Sequence, residues 1–347
     1  MATIKEIADL AGVSRGTVDR VLNKRGSVNP QTAQKIMEIV HALDYKPNRA
    51  GLVLAAQKKN LKLGVILFGE GNPFFDEVTD GIRQKEEDLA CYNCTVQIKR
   101  VNVDTLEQLQ AIDEFVKEGI NGIAISPTND PRLARRIDEL FEQGIPVVAL
   151  NTDIKNCKRI AFVGSNYYQS GATAAGLMRL MAKNESTKIG IVTGSEEILC
   201  HTERIAGFTN AIQSYPNIDI VATITNDDDD FVSYDQRTQL LKEHPEINAL
   251  FFAAAGVYGG CRAALAMRGL KKDMTIITFD KVATTKEMVA KDVISATICQ
   301  EPLVQGSKPL DILFSYLATG DLPKSEYNYT AVDIRICLLY TSPSPRD

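Results

Sequence analysis

Between residue 61 and residue 336 the chain carries eight short apolar runs, with helical stretches between most of them. They fall at 63–68, 96–101, 122–126, 146–150, 160–163, 189–193, 249–252 and 275–279. A run that is apolar at most positions reads as a strand buried on both faces; 96–101, with Gln97, Lys99 and Arg100, is the most polar of the eight. Such strands alternating with helices build a parallel sheet covered on both sides. About 270 residues of this pattern exceed one such sheet, so two α/β lobes are expected. In parallel sheets of this kind, ligands gather beyond the carboxyl ends of the strands.

The N-terminal residues have a different rhythm. Ile4, Ile7, Ala8 and Ala11 follow helical spacing, and Gly12 breaks the helix. Ser14 has a hydroxyl suited to cap a second helix. Val18, Val21 and Leu22 line one side of that helix, and Arg15, Gly16, Asp19 and Arg20 the other. Asn29 is placed to cap a third helix. Pro30 follows at its first position, where a missing N–H costs nothing. Ala33, Ile36, Met37 and Val40 form its apolar stripe. Helix, tight turn, helix is the arrangement that lays a second helix in the major groove of double-stranded DNA. Arg15 and Arg20 can hold guanine O6 and N7. Thr17, Ser14 and Asn23 suit phosphates or base edges. A plain three-helix bundle with a solvated charged face fits the same spacing.

Charge separates the two regions. Residues 1–60 hold ten Lys and Arg against five Asp and Glu; the remainder holds 29 against 39. A basic head on an acidic body points the head toward a polyanion. The first residues lack the apolar stretch of a secretion signal, and no apolar run reaches membrane-spanning length. The expectation is a soluble, cytoplasmic protein without membrane contact. Seven cysteines, an odd number spread along the chain, read as reduced thiols, including the Cys91–Cys94 CxxC. Catalysis finds little support. The 69–71 segment is a GxG fragment without the third glycine, no Walker motif or zinc triad occurs, and the three His lack catalytic spacing. No cofactor or metal is expected. The acidic run at 226–230 lacks the alternation and turn glycine of a calcium loop and reads as a solvated loop or helix start.

Residues 3–23 and the segment Tyr45-Lys46-Pro47-Asn48-Arg49 resemble the head signature of the lactose/galactose repressor family. The resemblance implies a helix-turn-helix head at 1–48, a hinge helix and linker at 49–60, and an effector-binding body at 61–336. That body is of the ribose-type periplasmic sugar-binding fold. It further implies that Thr3, Ser14, Arg15, Gly16, Thr17, Arg20, Asn23, Asn48 and Arg49 meet DNA. Leu54 takes the position of a leucine wedged into the minor groove. Gly16 departs from the family in having no side chain to offer. Gly51 stands where alanine is usual, which weakens a hinge helix by about 1 kcal/mol.

For the body, the resemblance implies an effector cleft between the lobes, contacted by Asn72, Phe74, Phe75, Ser126, Asn151, Asp153, Arg204, Asp280 and Gln300. Carboxylates, amides and an arginine bond the hydroxyls of a sugar, and aromatic rings face its C–H side. Ala253-Ala254-Ala255-Gly256 stands where relatives carry Asn-Asp, so one polar contact is missing. The implied function is a homodimeric transcription regulator, expected to be a repressor, on a pseudo-palindromic operator under control of a small sugar-like effector. A sugar-binding protein of a transport system is the alternative. Residues 337–347, rich in Ser and Pro, read as a disordered or foreign tail.

Overall fold

The computed structural model describes residues 4–22, 28–43, 57–69, 71–182, 186–266 and 274–336. The chain divides into two compact units, 1–55 and 56–347, within the segment expected to be a hinge.

In the first unit, α1 (Ile4–Ala11), α2 (Arg15–Leu22) and α3 (Pro30–Ala42) follow one another as the spacing predicts. Gly12 adopts φ 71°, which ends α1. The Ser14 Oγ accepts from the Thr17 N–H at 3.2 Å and caps α2. The Asn29 side chain caps α3 through the Gln31 N–H at 2.9 Å. Ile7, Ala8, Ala11, Val18 and Ile36 make the core, joined by Val13, Val21, Leu22, Ile39 and Val40. Lys35 Nζ donates to the Ala11 carbonyl at 3.1 Å, filling an orphan acceptor at the end of α1. Met37, assigned to the apolar stripe, is 39% exposed; Ile36 and Ile39 carry that face instead.

The second unit holds two six-stranded sheets. Lobe one contains β1 (Lys62–Leu67), β2 (Thr95–Arg100), β3 (Gly122–Ile125), β4 (Val147–Leu150), β5 (Ala161–Gly164) and β11 (Tyr327–Tyr329), in the order β11-β5-β4-β3-β1-β2. Lobe two contains β6 (Thr187–Thr193), β7 (Ile218–Thr225), β8 (Ala249–Phe252), β9 (Thr275–Phe279), β10 (Ala296–Cys299) and β12 (Asp333–Arg335), in the order β12-β10-β9-β8-β6-β7. The two strand orders correspond position for position, and differ in the direction of the last strand. Every strand pair is parallel except β10 with β12. Nine helices accompany these sheets among the described residues: α4 (Pro73–Ala90), α5 (Thr105–Lys117), α6 (Pro131–Glu142), α7 (Tyr167–Met181), α8 (Leu199–Ile212), α9 (Asp230–Glu243), α10 (Val257–Ala266), α11 (Ala283–Ala290) and α12 (Pro302–Thr319).

All eight apolar runs are strands. The four strands without such a run are β7, β10, β11 and β12. β7 is an edge strand, half-exposed along most of its length, and so lacks a continuous apolar stretch. β10 is buried throughout but includes Thr297, whose hydroxyl donates to the Asp280 carbonyl at 2.7 Å. β11 and β12 are three-residue edges. The chain passes between lobes three times: β5 to α7, β10 to α12, and β11 to β12. The six cysteines among the described residues are free thiols.

Candidate functional site

The three crossings meet in a buried hydrogen-bond hub. Ser165, after β5, donates its hydroxyl to Gln300 Oε1 at 3.2 Å. Its Oγ also lies 3.2 Å from the hydroxyl of Thr330, on the third crossing. Gln300 Nε2 donates to Asp280 Oδ1 at 2.8 Å. Gln305 Nε2 donates to Gln300 Oε1, and Asn151 Nδ2 to Gln305 Oε1, both at 3.2 Å. A chain of amides thus links Asp280, at the end of β9 in lobe two, to Asn151, at the end of β4 in lobe one. Both end residues have left-handed backbones, φ 67° and 63°, which Asp and Asn tolerate better than most residues.

The lobes touch above this hub. The Asn129 N–H donates to the Glu197 carbonyl at 2.8 Å, and the Cys200 N–H to Thr152 Oγ1 at 3.2 Å. The Tyr167 hydroxyl donates to the Asn151 carbonyl. Beside these contacts lies an inner recess of about 80 Å³, walled by Asn72, Phe74, Asp228, Asp230, Phe279 and Asp280. Tyr258, Thr284, Thr285 and the 254–257 segment also border it. An outer chamber of about 460 Å³ shares Gly71, Asn72, Asp228 and Asp230 with it and reaches Asn102, Val103 and Phe231.

Of the nine body residues singled out from sequence, Asn72, Phe74 and Asp280 line the recess. Asn72 also caps α4, accepting from the Phe74 N–H at 3.0 Å. Burial raises the Asp280 carboxyl above the usual carboxylate range, against the pull of Arg204 and of the Gln300 hydrogen bond. Arg204 is 4% exposed and stands one layer behind the recess. Its guanidinium lies 3.9 Å from the centre of the Phe279 ring, and its Nη1 donates to the Ala253 carbonyl at 2.8 Å, while Nε has no partner. Asn151 and Gln300 belong to the amide chain. Ser126 is wholly buried, with an unpartnered hydroxyl.

Six of the nine, Phe75, Ser126, Asn151, Asp153, Arg204 and Gln300, border neither the recess nor the chamber. Phe75 packs edge-on against Phe68 and Phe74, with centroids 5.3 and 5.4 Å apart, and does not border the recess. Asp153 is engaged by Arg159, whose Nε and Nη2 reach its two oxygens at 2.5 and 2.6 Å; that arginine also holds Glu326 at 2.9 Å. Both carboxylate oxygens are thus engaged by one arginine.

The acidic run at 226–230 is a helix start, one of the two readings its sequence offered: Asp229 caps α9, Asp230 opens it, and Asp227, Asp229 and Asp230 are exposed. Asp228 and Asp230 also wall the recess, and residues 227–230 line the outer chamber. The alanine gap after β8 faces these acids. Sequence reading passed over them because a run of acids resembles solvated surface. The signal present was its position, directly after a strand and beside that gap.

In the head, Arg15, Gly16 and Arg20 lie exposed on α2, and Thr17 is half-buried. Arg20 Nε donates to the Gly16 carbonyl at 3.1 Å, and the Ser14 and Thr17 hydroxyls meet at 2.9 Å. Thr3, Asn23, Asn48, Arg49 and Leu54 lie outside the described residues.

Comparison with known proteins agrees with both halves. Residues 63–321 match the periplasmic binding protein domain family, and residues 3–48 match the bacterial regulatory proteins of the lacI family. The chain belongs to the periplasmic binding protein domain family and carries a lacI-type head. It is 29% identical to catabolite control protein A of Priestia megaterium, over 80% of this chain and 82% of that protein. It is 24% identical to the ribose operon repressor of Halalkalibacterium halodurans, over 87% and 86%. The arabinose-binding protein of Geobacillus stearothermophilus shares the body fold at a TM-score of 0.66, with 27% identity over 79% of this chain and 96% of that one. With its lacI-type head, the chain is a sugar-responsive, DNA-binding transcriptional regulator; its named relatives are regulators and binding proteins. Among the described residues no helix is long and apolar enough to cross a membrane, and no group of three or more His, Cys, Asp or Glu is placed to hold a metal.

Proposed function

We propose that the chain is a homodimeric, cytoplasmic repressor whose affinity for a pseudo-palindromic operator is set by a sugar-like effector in the cleft between the lobes. The observation that carries this is the union of a helix-turn-helix head with a cleft that is walled by Asn72, Phe74 and Asp280 and hinged on three crossings. In the head, Arg15 and Arg20 read base edges, while Ser14, Thr17 and the backbone at Gly16 meet the sugar-phosphate frame. Thr3, Asn23, Asn48, Arg49 and Leu54 complete that contact.

Coupling follows from linkage. An effector that binds one arrangement of the lobes better than another shifts the population toward it, and DNA affinity moves with that population. Two heads on a twofold axis match a palindrome. A transport binding protein uses the same body, but such a protein has no use for a DNA-reading head.

The test has two arms. Selection from random DNA with full-length protein should return an inverted repeat. Thermal unfolding against pentoses, hexoses and their derivatives should show a raised Tm with one of them, since a ligand of the folded state stabilises it. That compound should then change operator affinity. An asymmetric selected site, or an effector that shifts Tm and leaves DNA affinity unchanged, refutes the proposal.

A further inference from the structure

The 226–230 loop is built into the cleft with unusual care. Asn226 is wholly buried, and its Nδ2 donates to the Ala255 carbonyl at 2.7 Å. The Ala255 N–H returns a bond to Asp228 Oδ1 at 2.8 Å. The Gly259 N–H donates to Asp230 Oδ1 at 2.9 Å. Asp229 caps α9 by accepting from the N–H groups of Phe231 and Val232. Gly256 sits at φ 75°, and a Cβ there would strike Asn226 Nδ2; a Cβ on Gly259 would strike the Asp230 carbonyl. The segment after β8 is thus pared to glycine and alanine where the acidic loop lies upon it. The carboxylates of Asp228 and Asp230 occupy the wall that the alanines leave bare.

That wall has a one-sided charge. Across the recess and chamber the described lining residues include Asp227, Asp228, Asp229, Asp230 and Asp280, and no Lys, Arg or His. His201 Nε2 lies 3.9 Å from Asp228 Oδ1, yet His201 borders neither space. A second observation points to a ligand. Thr285 is 1% exposed, its hydroxyl has no partner, and it borders the recess. Like charges gathered in a cleft raise one another's energy, and a bound cation relieves them. A neutral polyol engages carboxylates as acceptors but brings them no counter-charge. A phosphate or carboxylate adds to it.

We propose that the effector is an amino sugar, its protonated amine seated against Asp228 and Asp230 and its hydroxyls on Asp280, Asn72 and Thr285. This rests on the sugar-effector reading above and narrows it to a chemical class.

The experiment is isothermal titration of the full-length chain with glucosamine, galactosamine and mannosamine. Each is set beside its neutral parent hexose, its N-acetyl derivative and its 6-phosphate. One amine should bind about tenfold or more tighter than its three counterparts. Asp228→Asn and Asp230→Asn should each erase that preference, while Asp228→Glu keeps part of it. Unliganded Tm verifies that each variant folds. With the wild-type chain, raising NaCl should weaken the amine and leave neutral sugars unaffected. A neutral or phosphorylated hexose that binds as well as the amine overturns the proposal and leaves the sugar-effector reading standing, as does an amine preference that survives Asp228→Asn. Binding by none of these compounds, with a non-sugar found to release DNA, sinks both.

Discussion

On α2, Arg20 leans back on the Gly16 carbonyl at 3.1 Å while its guanidinium remains exposed. A side chain held at one nitrogen keeps its others free for guanine. Arg20→Ala should therefore weaken specific-site binding by about 1–3 kcal/mol and random DNA far less, as read by anisotropy titration against both. An equal loss on both assigns Arg20 to phosphates. Asp280 makes a second point at this scale, about the cost of a site. Burial lifts its carboxyl above the usual range. The folded state then holds a proton that the unfolded chain releases. This favours folding fully below the ordinary carboxylate pKa, and the advantage is lost as pH rises through the raised value. Asp280→Asn keeps an acceptor for Gln300 and tolerates the left-handed backbone. At neutral pH the variant should melt higher, by roughly 2 °C or more, with a flatter pH dependence, yet lose effector binding. A lower Tm instead would mean that the charged form is stabilised in place.

Helices α7 and α8 show what elements demand beyond their own propensity. Gly207 of α8 faces the Tyr168 carbonyl and Gly171 of α7 faces the Arg204 carbonyl, so close that neither position admits a Cβ. This contact fixes the entry of α8 and with it the depth of Arg204 behind the recess. Gly207→Ala should cost about 1–3 kcal/mol of body stability in urea unfolding and weaken effector binding with it. The same elements mark how far sequence carries. Buried parallel strands were legible because apolar runs need no context, and head caps such as Asn29 were legible because capping is local. β7 and β10 were not: β7 alternates polar and apolar residues on an edge, and β10 is a four-residue strand whose run is broken by Thr297. In the site, Asn72, Phe74 and Asp280 follow from their place at strand ends. The pairing of Asp153 with Arg159 was not legible, because that partner declares itself only through packing. The helix start at Asp229 and Asp230 was legible as capping, whereas the place of Asp228 and Asp230 beside the 254–257 segment depends on tertiary packing.

Across the whole body, two lobes of repeated topology are joined at one hub, where Ser165, Gln300 and Thr330 bring all three crossings together. Gln300 ties that hub to Asp280 in the recess, so the cleft and the hinge are one hydrogen-bonded unit. An effector on Asp280 would stand one hydrogen bond from Gln300, which is bonded in turn to Ser165 and Gln305. Ser165 is suited to test this, being 1% exposed and absent from the recess lining. Ser165→Ala introduces no clash and deletes two bonds at the hub. The loss should lower body stability by about 1–3 kcal/mol, because Gln300 and Thr330 keep buried polar atoms with one partner fewer. Effector affinity should stay within a few-fold of wild type, since no cleft contact changes. The coupling should fall: operator affinity measured with and without saturating effector should differ less than in the wild-type chain. Coupling is a free energy between sites and is measured by that ratio alone. If stability drops and the ratio is unchanged, the hub is a structural seam and the lobes communicate through the Tyr167–Asn151 and Thr152–Cys200 contacts instead.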